Sequence, residues 1–129
     1  MTECEILKNY KTIAVVGFSS NPLRMSRVVA GYLQLMNYKI VGVNPGMPQI
    51  EGVDVYAKLT DIPFEVDIVD VFRKSENIPE IIEDVLALSP KVLWLQLGIR
   101  NDEAVKPCID KGIVTIQDKC IKIEHGRCF

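Results

Sequence analysis

The segment Thr12-Ile13-Ala14-Val15-Val16-Gly17 constrains this chain more than any other: an apolar run, closed by glycine, that leads through a polar stretch into a helical pattern. Continuous apolarity, in place of alternation, belongs to a strand covered on both faces, and such strands are characteristic of parallel sheets. Beyond the polar stretch, Met25, Val28, Val29, Tyr32, Leu33 and Met36 recur at steps of three and four. That spacing predicts a helix laying one stripe on a core, with Asn37 at its end. A parallel partner strand cannot be reached through a tight turn and needs such a crossover. The opening residues therefore commit the chain to an α/β architecture.

The remaining segments extend the same rhythm. Ile40-Val41-Gly42-Val43-Asn44 reads as a second strand, stopped by Pro45-Gly46. The following twenty residues or so read as loop, with a short helical turn from Tyr56 to Thr60. A third strand is expected at Asp67–Phe72, then a helix marked by Ile78, Ile81, Ile82, Val85 and Leu86. Asn77 and Glu80 have capping-box spacing, which would put Pro79 in the tolerated first turn; a start at Ser75 is the alternative. Val92–Gln96 is the fourth strand. Asp102–Lys111 is a short helix capped by Asn101 and closed by Gly112, with Pro107 expected to kink it. Ile113–Ile116 is the fifth strand. Crossovers of fixed hand then predict a three-layer Rossmann-like domain with a five-stranded parallel sheet in the order 3-2-1-4-5. A crevice is expected beside the carboxyl ends of strands one and four, where such sheets hold ligands.

Composition narrows the function classes. The 129 residues are 48% apolar and 25% charged, which suits one globular domain spanning the chain. With 15 basic and 17 acidic residues and a formal net charge of -2, the basic excess of a nucleic-acid binder is missing. No apolar run approaches the length of a membrane span, and MTECEILKNYK lacks the pattern of a signal peptide, so a cytoplasmic location is expected. Cys4, Cys108, Cys120 and Cys128 do not form a small secreted disulfide framework, and reduced thiols are expected.

The first candidate site is the turn Gly17-Phe18-Ser19-Ser20-Asn21-Pro22 with Arg24, Ser26 and Arg27. Exposed N–H groups at a helix start attract phosphate, serine hydroxyls add donors and arginines add charge. This is neither a G-x-G-x-x-G fingerprint nor a P-loop. The second strand ends in Asn44-Pro45 where an NAD site would place a carboxylate for the ribose, which turns the reading away from NAD. The absent P-loop lysine likewise argues against ATP hydrolysis. Phe72, Arg73 and Lys74, after strand three, offer an apolar surface and charge for an additional phosphate. Gly98 allows close approach of the chain after strand four, and Asn101 is chiefly a helix cap. In the tail, Cys120, His125 and Cys128 lack a recognised metal spacing, and Cys120 with His125 lacks one for a nucleophile pair. A short closing helix or turn is expected there, with Cys120 packed and His125 structural or near the ligand.

Taken in order, several of these segments carry a family resemblance. They are Val16-Gly17-Phe18-Ser19 with Pro22 and Ser26, Gly42-Val43-Asn44-Pro45, Asp70-Val71-Phe72-Arg73, Gln96-Leu97-Gly98-Ile99 with Asn101-Asp102-Glu103-Ala104, and Asp118-Lys119-Cys120 with Glu124-His125. The chain resembles, from about Thr12 to Arg127, the small stand-alone CoA-binding proteins, whose fold is similar to the CoA-binding domain of the succinyl-CoA synthetase alpha subunit. The resemblance implies that coenzyme A or an acyl-CoA binds through the glycine loop, its pyrophosphate near Gly17, Ser19 and Ser26. Asn44-Pro45 and Phe72-Arg73 would wall the nucleotide end, with Arg24, Arg27, Arg73 and Lys74 available to its phosphates. Phe18 departs from the small residue frequent at its position. The phosphohistidine domain of the synthetase has no counterpart here, so the resemblance implies a binding module without catalysis, free-standing or serving a partner enzyme. An enzyme acting on an acyl-CoA thioester, and a regulatory domain with an unoccupied pocket, are the competing readings. A homodimer fits general frequency, and no residue pattern marks an interface.

Overall fold

The computed structural model describes residues 1–46 and 49–129. Its strands are β1 (Thr12–Val16), β2 (Lys39–Val43), β3 (Gln49–Ile50), β4 (Val53–Tyr56), β5 (Ile68–Val71), β6 (Val92–Leu95) and β7 (Val114–Ile116). Its helices are α1 (Glu3–Asn9), α2 (Met25–Leu35), α3 (Pro79–Leu88), α4 (Asp102–Asp110) and α5 (Ile121–Cys128), with 3-10 turns at Leu59–Asp61 and Ser75–Asn77. The strands form one seven-stranded sheet in the order β3-β4-β2-β1-β5-β6-β7. All pairings are parallel except β3 with β4, so the sheet is mixed.

The apolar runs become strands buried on both faces, as their continuity demands. Ile13 and Val15 point into one core with Ile68, Val92 and Trp94, where α1, α2 and α5 supply Ile6, Leu7, Val29, Leu33 and Ile121. Ala14 and Val16 point the other way, into a core with Val69, Leu93 and Leu95 that α3 and α4 cover with Ile82, Val85 and Val105. Helix α2 buries Ser26, Val29, Ala30 and Leu33 and ends before Asn37, which takes the left-handed conformation at φ 70°. Asn101 caps α4 by accepting a hydrogen bond from Ala104 N–H at 3.1 Å. That helix runs on from Asp102 to Asp110 with Pro107 inside it; the carbonyl that Pro107 cannot partner is that of Glu103, an exposed residue.

The sheet corrects the expected order. The five anticipated strands stand as 2-1-3-4-5, not 3-2-1-4-5, because the outer place beside β2 belongs to β4, in the segment read as loop. Strand β4 is short and alternates buried with exposed residues, so it lacks the long apolar run of its neighbours. A turn at Glu51-Gly52, both at positive φ, folds β3 back onto it. Met47 and Pro48, part of that segment, lie outside the described residues. Strand β5 moves directly beside β1, with Val15 opposite Asp70 and Val16 opposite Val71. The reversal of strand order thus falls between β1 and β5, and the residues following those two strands become neighbours.

Two further expectations change. The Asn77–Glu80 box does not form: Ser75–Asn77 is a 3-10 turn running into α3, no side chain caps α3, and Glu80 pairs with Arg73 instead. The thiols are not all reduced, because Cys4 and Cys128 form a disulfide with their Cα atoms 5.4 Å apart. The unanticipated helix α1, started by a Thr2–Glu5 capping box, brings the chain's two ends together and makes that link possible. Cys108 and Cys120 are free and buried. No described helix is long and apolar enough to cross a membrane.

Candidate functional site

The loop after β1 is a braced cradle. Gly17 sits at φ 84°, and a Cβ there would lie 2.5 Å from the Phe72 carbonyl oxygen. Only glycine permits that approach of the two crossover loops. Phe18, the departure from the small residue, turns its ring into the core at 1% exposure. It lies over Gly42, whose own Cβ would meet the ring at 2.6 Å, so the loss of a side chain on β2 makes the space. The backbone of Phe18 stays at the site, and Asn44 Nδ2 donates to its carbonyl at 2.6 Å.

Hydrogen bonds from the following residues hold the turn. Ser19 N–H donates to the buried Ser26 Oγ at 3.0 Å, and Asn21 N–H donates to Ser19 Oγ at 3.0 Å. Arg27 donates from Nη1 to the carbonyls of Ser19 and Ser20, at 3.2 and 3.0 Å, and pairs through Nη2 with Glu51. Its guanidinium is therefore a brace of the loop. Helix α2 has Arg24 at its N-cap and no side-chain cap, and no intrahelical carbonyl meets the N–H groups of its first residues, Met25 and Ser26, which line the cradle. Ser20, Pro22 and Arg24 are exposed around its outer edge. Arg24, Lys58 and Lys74 hold no ion pair among the described residues.

Three cavities share lining residues here. One of about 540 Å³ lies against Gly17, Ser19, Arg24, Met25 and Ser26, with Phe72 across from them. A second, of about 570 Å³, shares Gly17 and Ser19 and extends past Asn44, Pro45 and Lys58 to Arg73. A third, of about 650 Å³, shares Met25 and Phe72 with the first and Arg73 with the second, and runs between Lys74, Gly98 and Cys120. Of the sequence candidates, Gly17, Phe18, Ser19, Arg24, Ser26, Asn44, Pro45, Phe72, Arg73, Lys74 and Gly98 all line this crevice. Arg73 is half-engaged, paired with the Glu80 carboxylate at 3.0 Å. Gly98 donates its N–H to Asp118 Oδ1 at 2.6 Å.

Ser20, Pro22, Arg27 and Asn101 do not line the three cavities. Asn101 is occupied three ways: it caps α4, donates from Nδ2 to the Ser75 carbonyl at 3.0 Å, and donates its N–H to Gln117 Oε1 at 2.8 Å. Reading the residues alone missed Lys58 and Met25 as lining groups. Lys58 follows β4, so recognising that strand would have placed it at the same carboxyl edge. Its helical spacing assigns Met25 to the core stripe, yet it is 56% exposed at the first helical position.

The tail separates the two residues considered as a nucleophile pair. Cys120 lines the third cavity. His125 is buried away from it, with Nδ1 hydrogen-bonded to Tyr32 Oη at 2.8 Å and its ring edge-on to Tyr32 and Tyr38. Burial, reinforced by the nearby positive charge of Lys11, lowers its pKa below the ordinary histidine value. No group of three or more potential metal ligands occurs among the described residues. One titratable residue beneath the site was not anticipated: Asp70 on β5 is fully buried, and neither carboxyl oxygen has a partner. Burial raises its pKa well above the usual carboxylate range.

Known proteins share this architecture. The chain is 41% identical over 122 residues to the uncharacterized protein YneT of Bacillus subtilis, covering 95% of this chain and 90% of that protein. It superposes on a Thermus thermophilus structure titled cell-free ID.343 with TM-score 0.94 and 37% identity, over the whole of both chains. The fold recurs within the dinucleotide-forming acetyl-coenzyme A synthetase 1 of Ca. Korarchaeum cryptofilum, at TM-score 0.73 and 23% identity, covering 86% of this chain and 26% of that one. The family described as CoA binding domain matches residues 11–126, nearly the whole length. The chain belongs to the CoA binding domain family.

Proposed function

We propose that this protein is a coenzyme A or acyl-CoA binding module without catalysis of its own, working alone or for a partner enzyme. The observation that carries the reading is that three cavities share lining residues around the loop after β1 and the start of α2. Coenzyme A has three chemically distinct parts, and each has a suitable wall. The pyrophosphate suits the uncapped start of α2 with Gly17, Ser19 and Ser26, where N–H groups and the helix field favour anions. The adenosine end suits the cavity between Asn44-Pro45 and Arg73, with Lys58, Arg73 or Arg24 available to the 3′-phosphate. The pantetheine arm suits the third cavity, along Phe72 and Gly98.

The same walls disfavour NAD. Asn44 directs its amide to the Phe18 carbonyl, and no carboxylate stands at the end of β2 to hold a ribose diol. A binding role is favoured over thioester chemistry because the imidazole that would activate Cys120 is hydrogen-bonded to Tyr32 outside the cavity that Cys120 lines. Calorimetric titration with CoA, dephospho-CoA, NAD and ATP tests the reading. CoA should bind at micromolar or tighter Kd. Dephospho-CoA should bind about ten-fold or more weakly, the loss of one charge-assisted contact worth roughly 1.5–3 kcal/mol. Equal weak binding of all four would refute it.

A further inference from the structure

We infer that the cavity of about 650 Å³ is an acyl-chain site, so that the preferred ligand is a straight-chain acyl thioester and not the free thiol. This rests on the coenzyme A reading above. The cavity is walled by Met25, Phe72, Leu97, Ile99 and Ile123. Three of these are unusually open for large apolar side chains, at 56% for Met25, 64% for Leu97 and 46% for Ile123. They come from three separate elements, the start of α2, the loop after β6 and α5, yet converge on one mouth. Clustered apolar exposure of that kind marks a binding face, whereas scattered single residues do not. A free thiol at the end of the pantetheine arm is too small to cover them. An acyl chain continues from the sulfur and has the surface to do so, and the flexible Met25 thioether can adapt to its length.

The floor supplies the complementary polar group. Gln96 is 4% exposed, and its Oε1 accepts the Ile121 N–H at 3.1 Å. That bond fixes which way the amide faces. Among the described residues no acceptor meets its Nε2, and Gln96 lines the cavity. A thioester carbonyl oxygen is an acceptor located at the junction between arm and chain, which a free thiol lacks. Donor on the floor and apolar side chains at the rim match carbonyl and alkyl in sequence.

Calorimetry of the intact protein with CoA, acetyl-CoA, butyryl-CoA and hexanoyl-CoA decides the matter. Each fully buried methylene tightens binding by nearly four-fold, so even partial burial should make hexanoyl-CoA at least about ten-fold tighter than acetyl-CoA. The double variant Leu97→Ser, Ile123→Ser should flatten the series, bringing hexanoyl-CoA to within about two-fold of acetyl-CoA. Gln96→Glu keeps the acceptor for Ile121 and removes the donor, and should weaken every thioester relative to CoA. Should either variant fail to fold, the wild-type series decides alone. If CoA binds and the series is flat or falls with length, the acyl site is wrong and the coenzyme A reading stands. If neither CoA nor any thioester binds, both are overturned.

Discussion

At Gly17 the backbone tolerates nothing larger than hydrogen, for two separate reasons. Its φ of 84° is costly for any residue with a Cβ, and that Cβ would stand 2.5 Å from a carbonyl of the neighbouring loop. Gly17→Ala should therefore lower unfolding free energy by at least about 1–2 kcal/mol from the backbone term alone. It should also displace Phe72 and weaken CoA binding by ten-fold or more; urea unfolding and calorimetry would measure the two effects. Asp70 gives a prediction of opposite character. Its carboxyl is buried without partners, so its folded pKa lies above the unfolded one and the folded state holds the proton more tightly. Stability from that group is fully present below the unfolded value of about 3.9 and declines as pH rises from there toward the folded pKa. Asp70→Asn removes the decline, so the variant should equal or exceed the wild type in urea midpoint at pH 7, with the gap closing toward pH 4. A variant less stable at pH 7 than at pH 4, relative to wild type, would contradict this. Sequence displayed Gly17 as a site residue through its place after an apolar run. It could not display the orphaned state of Asp70, because that depends on what Val15 and Trp94 and the helices above leave around it.

The elements explain why some site residues brace while others remain available. Arg27 and Arg24 looked equivalent as residue types, but helical phase separates them. Arg27 points back over the Ser19 and Ser20 carbonyls, whereas Arg24 stands at the uncapped start of α2. The strands with long apolar runs were legible because burial on both faces leaves a continuous signature. Strand β4 was not, since one of its faces is wet and its four residues carry little pattern. Helix α1 was missed for a related reason: seven residues hold only Ile6 and Leu7 as buried anchors. Both omissions had consequences, one for strand order and one for the cysteines. The Cys4–Cys128 link joins residues 124 positions apart. Closing so long a loop in the unfolded chain stabilises by up to about 4–5 kcal/mol in the chain-entropy account. Reduction, or Cys128→Ser, should lower the unfolding free energy by about 2–5 kcal/mol, read from denaturant curves with and without a thiol reductant. Curves that superpose would show that the pair contributes nothing.

For the whole molecule, the strand order decides where a ligand can lie. With β5 beside β1, the loops after those two strands converge, and Gly17, Phe72 and Arg73 become shared walls of one crevice. The expected order would have set the third strand at the far edge, leaving Phe72 and Arg73 remote from the first helix. Family resemblance and physical reading nonetheless selected most of the same residues, because both depend on loops at the carboxyl edge of a parallel sheet. We propose that coenzyme A lies along this crevice with its pyrophosphate on the first turn of α2. A crystal structure of the protein soaked or grown with CoA tests it most directly. The expected result is paired phosphate density within hydrogen-bond reach of the Gly17–Ser19 backbone and the Met25 and Ser26 N–H groups, adenine toward Pro45, and the thiol beyond Phe72. Well-ordered CoA with its pyrophosphate elsewhere on the protein would contradict it.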